Sequence, residues 1–216
     1  MNTTHSVAAH YDGEFDVDAI ESWATELREQ FPGEEISLGF VFTSPPFFDN
    51  AAELLEILRV HARIPLLVGC SSGSLIANAQ ELEKDSGFVL SLHHLPGADL
   101  SGIHFTQAQV EQGDREGFWR EKTGVRESNG WLVFADPFQI NGEQWLDQWN
   151  AAWPSAPILG GLASGDHHQQ RTQVYLNGNV YEEGGVALNV SGDVELRSII
   201  SQGCTPIGET WTITRA

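Results

Sequence analysis

Two stretches of this chain can be written one above the other, 92 positions apart, without a gap. Val41-Phe42 then falls on Val133-Phe134, Pro45 on Pro137, Leu54 on Leu146 and Pro65 on Pro157. The same offset carries Leu67 to Leu159, Gly69 to Gly161, Ser72 to Ser164 and Gly73 to Gly165. Segments 36–73 and 128–165 share nine identities in 38 positions. Two prolines, two glycines and a strand core held in one register point to a duplicated unit, and a repeat constrains the fold before any local pattern does.

Each copy reads as strand, break, helix, strand and a Gly/Ser turn. Ile36 to Thr43 is an apolar strand stopped by Ser44-Pro45-Pro46. A helix from about Asn50 sets Ala51, Leu54, Leu55, Leu58 and Ala62 on one face. Leu66-Leu67-Val68 follows as a short buried strand. In the second copy Trp131 to Ala135 is the strand and Asp136-Pro137 the break. Trp145, Trp149 and Trp153 then recur every four residues, the spacing of a helix face in a core. Strand-like Phe88–Leu92 and Gly185–Asn189 come after the two turns at unequal spacing, which places an insertion in Asp166 to Asn179. Outside the repeats, Asp18-Ala19-Ile20-Glu21 has capping spacing ahead of an amphipathic stripe. Thr106 opens a helix expected to run towards Lys122, and Glu209 to Thr214 reads as a strand. The expected fold is therefore mixed α/β (α+β): duplicated strand–helix–strand units in pseudo-twofold layered sheets, with helices outside. One shared sheet or two stacked ones both fit the repeat. Phe42 and Phe134, as equivalent residues of a twofold pair, are expected to be largely inaccessible to solvent.

Composition narrows the partners. Thirty acidic residues against eleven basic ones give a net charge of −19, and Lys84 and Lys122 are the only lysines. Such a surface repels phosphate backbones, because nucleic-acid affinity comes largely from Lys and Arg displacing counterions. Nucleic acid and anionic membranes are thus not expected as partners. No apolar run reaches the roughly 18 residues of a membrane span. Met1 to His10 lacks the pattern of a secretory signal, so the expected location is cytoplasmic. Two cysteines, Cys70 and Cys204, are too few for a disulfide framework and are expected as reduced thiols.

The candidate site lies at the two matched turns, Gly69-Cys70-Ser71-Ser72-Gly73 and Gly161-Leu162-Ala163-Ser164-Gly165. Glycine lets a ligand approach the backbone closely, while serine hydroxyls and free N–H groups can hold a carboxylate. The ligand-binding set is Cys70, Ser71, Ser72 and Gly73 on one side and Ser164, Gly165 and Asp166 on the other. There the turns would receive the carboxylate of an amino acid and Asp166 its ammonium group. No catalytic residue is assigned. Cys70 loosely has the setting of a nucleophile, yet Leu162 replaces it in the second copy and no residue is nominated as its base. No metal or cofactor is expected either. His93-His94 and His167-His168 lack zinc-motif spacing, and neighbours on a strand point to opposite faces.

The runs Pro65 to Gly73, Leu159 to Gly165, Gly184 to Leu188 and Gly203-Cys204-Thr205-Pro206-Ile207-Gly208 together resemble the N-terminal FIST domain, over most of the chain from about residue 36. The resemblance implies an intracellular sensory domain of signalling proteins, proposed to bind small ligands such as amino acids and also found in an F-box ubiquitin-ligase subunit. It implies a single FIST N-terminal-like domain over 1–216, with the usual C-terminal FIST domain absent. The leading expectation is a small-molecule sensor rather than an enzyme, working with a signalling partner or a C-terminal FIST domain. A protein-interaction scaffold is the alternative, and a Cys-dependent enzyme comes third.

Overall fold

A computed structural model of the chain describes residues 5–31, 35–83, 87–165 and 170–199, together with Gly203, Gly208 and Thr212. The first half runs β1 (Ser6–Asp12), α1 (Val17–Gln30) and β2 (Leu38–Thr43). A 3-10 turn (Pro45–Asn50) leads into α2 (Ala51–His61), β3 (Leu67–Ser71), a hairpin of β4 (Ser74–Ala77) and β5 (Gln80–Glu83), and β6 (Gly87–His93). The second half runs β7 (Ala98–Phe105), α3 (Gln107–Gln112), α4 (Phe118–Thr123), β8 (Gly130–Ala135), α5 (Gly142–Ala152) and β9 (Ile158–Leu162). It ends with β10 (Val174–Leu176), β11 (Asn179–Tyr181) and β12 (Gly185–Gly192).

The strands form two stacked sheets rather than one, with β4 and β5 as a separate two-stranded third. The second has the order β7-β12-β8-β9, and the first contains β1-β6-β2-β3 followed by β10-β11. Pairing sense agrees strand for strand: β2 with β3 and β8 with β9 are parallel, while β6 and β12 run antiparallel to both their neighbours. Alternation along the strands assigns the faces. Leu38, Val68 and Cys70 of the first sheet pack against Val186, Leu188 and Val190 of the second, and this is the central apolar layer. Val41, Leu67 and Leu90 point the other way, into the apolar faces of α1 (Ile20, Ala24, Leu27) and α2 (Leu54, Leu55, Leu58). Trp131, Val133 and Ala187 do the same against α5 and the Trp119 region of α4. The result is four layers with helices outside, as the expected fold class has it.

Register corrects the gap-free alignment. Phe42 and Phe134 are 92 positions apart, but their strand partners Cys70 and Gly161 are 91 apart. The helices α2 and α5 are also offset by 91, with Asn50 and Asn141 as their N-caps. The missing residue therefore lies in the connection from Pro137 to the α5 cap. Leu54, Leu58 and Ala62 take the places of Trp145, Trp149 and Trp153. The doublet Gly160-Gly161 hides the slip, since either glycine can be matched to Gly69.

Other expectations are adjusted by the same local chemistry. The helix expected from Thr106 to Lys122 is broken into α3 and α4 around Gly113 and Gly117, the latter with φ of 78°. Asp16, not Asp18, caps α1, accepting the Ala19 N–H at 2.8 Å. Phe42 and Phe134 do meet across the sheets, edge to face at 5.4 Å, but both are half-buried rather than inaccessible. The stretch expected to be a polar insertion contains β10, which leaves the second half and joins the edge of the first sheet. Of the expected strand Glu209–Thr214 only Thr212 is described, and it is exposed outside any strand.

Candidate functional site

Parallel pairing of β2 with β3, and of β8 with β9, brings both Gly/Ser turns to the same end of the sheets. Ser72 N–H donates to Thr43 O and Ala163 N–H to Ala135 O, each at 2.8 Å. The two turns touch there: Ser164 N–H donates to Ser71 O at 3.1 Å, and Gly73 N–H to Ser164 Oγ at 2.9 Å. Five of the seven proposed ligand-binding residues, Ser71, Ser72, Gly73, Ser164 and Gly165, are thus brought together.

Their polar atoms are largely spent on one another. Ser71 Oγ accepts Gln173 N–H at 2.9 Å, and Ser72 Oγ donates to Ser74 O at 2.5 Å. A Cβ on Gly165 would lie 2.6 Å from Arg171 O and 2.8 Å from the Phe48 ring, so that glycine is packed. Arg171 closes this end of the seam, bonding Glu182 at 2.7 Å and Asp49 at 3.2 Å. Its hydrogen bond holds the Glu182 carboxyl below the usual carboxylate range. Behind the seam, Asp136 accepts the Phe138 and Gln139 N–H groups and the Thr172 hydroxyl, so this buried carboxylate organises the loop after β8. Asp166, His167, His168 and Cys204 lie outside the described residues.

Cys70 faces the central apolar layer and is 5% exposed. Burial pushes its thiol up to about 12, so the thiolate needed for nucleophilic attack does not form near neutral pH. The core also raises Tyr175. Below pH 9 the thiol is protonated in both folded and unfolded chains; above it the unfolded thiol ionises first, and stability falls between about pH 9 and 12. A thiol reagent should label the Cys70 peptide only after denaturation. Labelling of the native chain at the rate of a free thiol would place Cys70 at the surface instead.

A cleft of about 370 Å³ opens beside the second turn, between β9 and α5. Val133, Ala135, Ile140, Trp145 and Ile158 form its walls, and Gly160 and Gly161 its floor. Leu146 and Leu162, at 41% and 64% exposed, stand on its rim. Among the described residues β9 is the edge of its sheet, and the main-chain groups of Gly160 and Leu162 turn away from β8. Sequence reasoning missed this cleft, although Gly161 and Leu162 belong to the second pentad. The available signal was the Gly160-Gly161 doublet, which removes two side chains from one strand. A larger cleft, about 490 Å³, adjoins the α3–α4 turn. Gln148 crosses it, bonding Trp119 Nε1, Val110 O and Asp114, and Arg115 is paired with Glu121. Those polar groups are already engaged.

Of the histidine pair, His93 lies half-buried against Phe40, while His94 bonds Glu35 O. Among the described residues no three His, Cys, Asp or Glu side chains converge as metal ligands, and no helix is long and apolar enough to cross a membrane.

Two like sheets, helices on both outer faces and an apolar cleft at an open strand edge define a four-layer α/β domain. The chain belongs to the FIST N domain family, whose model matches residues 37–216. FIST domains are sensory and signal-transduction domains. Among curated proteins, an uncharacterized protein of Mycobacterium tuberculosis is 26% identical over 197 residues, covering 89% of this chain and 49% of the relative. Another, from Mycobacterium bovis, is 26% identical over 198 residues, covering 92% and 50%. The chain spans about half the length of the curated relatives it matches.

Proposed function

We propose that this chain is a small-molecule-sensing module of a cytoplasmic signalling protein, with its ligand in the cleft between β9 and α5. The carrying observation is the cleft itself: about 370 Å³ of apolar space beside outward-facing main-chain groups of an edge strand. Small-ligand sites have this size and this mixture of apolar walls with a few fixed polar groups. The seam between the Gly/Ser turns acts as the support that fixes the end of β9 against β3. Binding without chemistry is the reading, because the buried Cys70 thiol is held protonated.

Thermal unfolding in the presence of amino acids and other small metabolites tests this. A ligand at 100 times its dissociation constant should add about 2.7 kcal/mol of stability. Leu162→Asp, at an exposed rim position, should abolish the shift and leave the unliganded melting temperature within a few degrees. If no compound raises the melting temperature, the sensing reading fails. The exposed Leu146 and Leu162 beside the β9 edge, unpaired among the described residues, support a second reading, a protein-interaction scaffold that docks a strand there. Capture of a defined partner that Leu162→Asp prevents, without any small-molecule response, would select it.

A further inference from the structure

The two halves supply a template for what the cleft accepts. Val41 lies opposite Gly69 in the first sheet, and Val133 opposite Gly160 in the second. A Cβ on either glycine would sit 1.8 Å from the carbonyl oxygen of that valine, so both positions lie tight against the neighbouring main chain, although only Gly160 has a positive φ, 152°. Beyond Gly69 the first sheet continues: β10 runs antiparallel to β3 and puts Tyr175 opposite the glycine. The Tyr175 side chain is fully buried in the cluster that includes Leu54 and Leu58 of α2. Its hydroxyl lies 2.7 Å from Thr43 Oγ1 and donates to Gln173 Oε1 at 3.0 Å. Among the described residues the second sheet ends at β9 beyond Gly160, and the space corresponding to that of Tyr175 is the cleft.

The lining differs from the template in one chemical respect. Thr43 pairs with Ser71, whereas Ala135 pairs with Leu162. The hydroxyl that meets Tyr175 is therefore a methyl group in the second half, and the neighbouring serine is a leucine. Among the described residues no strand beside β9 supplies a counterpart of Gln173. Trp145 stands where α2 has Leu54 and offers an aromatic wall. In the first half, Leu67 O accepts Asn177 N–H and Ser71 N–H donates to Gln173 O, so β3 turns its alternate main-chain groups to β10. The same groups of β9, at Gly160 and Leu162, face the open side.

We infer that the cleft selects an aromatic group without a phenolic hydroxyl, carried next to an amide or carboxyl that pairs with the Gly160 edge. This rests on the reading of the cleft as a binding site. A flat ring fills the space that Tyr175 fills in the other half and packs against Trp145. A hydroxyl on that ring would be buried against Ala135, where no side chain among the described lining residues replaces the Thr43 hydroxyl.

The test uses N-acetyl amides of phenylalanine, tryptophan, tyrosine and leucine, titrated into the full chain by calorimetry. Amide resonances of Gly160 and Leu162 report the location. The phenylalanine or tryptophan probe should bind best and shift both resonances, with the tyrosine and leucine probes about tenfold weaker. Ala135→Thr, which recreates the Thr43 hydroxyl, should change the tyrosine-to-phenylalanine ratio about tenfold in favour of tyrosine. Should that variant not fold, the ranking in the parent chain decides. A leucine probe equal to phenylalanine at these resonances would overturn the aromatic inference and leave the cleft as a binding site. Equal affinity for tyrosine and phenylalanine would overturn the exclusion of the hydroxyl. No shift at Gly160 and Leu162 with any probe at millimolar concentration would overturn both inference and site.

Discussion

Trp149→Ala is expected to lower the unfolding free energy by about 3–5 kcal/mol, the range for removing a large aromatic side chain from a core. Trp149 is fully buried and lies at the centre of an aromatic cluster. Its ring centroid is 4.7 Å from that of Trp119, 5.0 Å from Trp145, 5.1 Å from Trp131 and 5.2 Å from Trp153. Truncation would leave a void between α5 and the second sheet that four rigid rings cannot close by small shifts. In a domain of this size that loss corresponds to about 10 °C in melting temperature. Urea denaturation followed by far-ultraviolet circular dichroism measures it. A loss below about 1 kcal/mol would show that the cluster is not the core of the second half.

Gly69→Ala should be nearly as damaging for a different reason. The added Cβ would fall 1.8 Å from Val41 O, which is main chain in the neighbouring strand and cannot swing aside. Accommodation requires β2 and β3 to separate, and Tyr175 packs over the same point from β10. A loss of about 3 kcal/mol or more is expected. Gly73→Ala is the control, because its Cβ would find its nearest neighbour, Ser164 Oγ, at 3.8 Å. It should change stability by no more than about 0.5 kcal/mol. Equal effects of the two substitutions would mean that the β2–β3 contact does not govern the position.

How far the sequence carried depends on which forces act locally. β2, β8, α2 and α5 were legible because each has an apolar period and a Pro- or Asn-marked boundary. The Trp145, Trp149 and Trp153 stripe was legible for the same reason, and it is core. β1 was missed: Ser6–Asp12 is a half-buried edge strand whose alternation is too weak to stand out. The hairpin Ser74–Glu83 was missed as well, since its sequence has few strand-forming residues. That the two turns would meet followed from treating the halves as equivalent, but their mutual hydrogen bonds could not be read from residue types. The cleft was the least legible feature. Among the described residues one strand edge is covered and its counterpart is open, and the Gly160-Gly161 doublet shows that side chains are missing there but not that a neighbouring strand is.

The placement of β10 has a consequence for the order in which the chain can become folded. The first sheet needs residues 174–176 to cover β3, and these follow almost the whole of the second half in sequence. While the chain is being synthesised, β1, β2, β3 and β6 can assemble early, yet Gly69 stays uncovered until some hundred further residues have emerged. During that interval the nascent chain presents two exposed strand edges with matching glycine notches, each able to capture the wrong strand. Tyr175 then acts as a late latch: its arrival shuts the notch at Gly69 and ties a segment from the second half of the sequence to the first sheet.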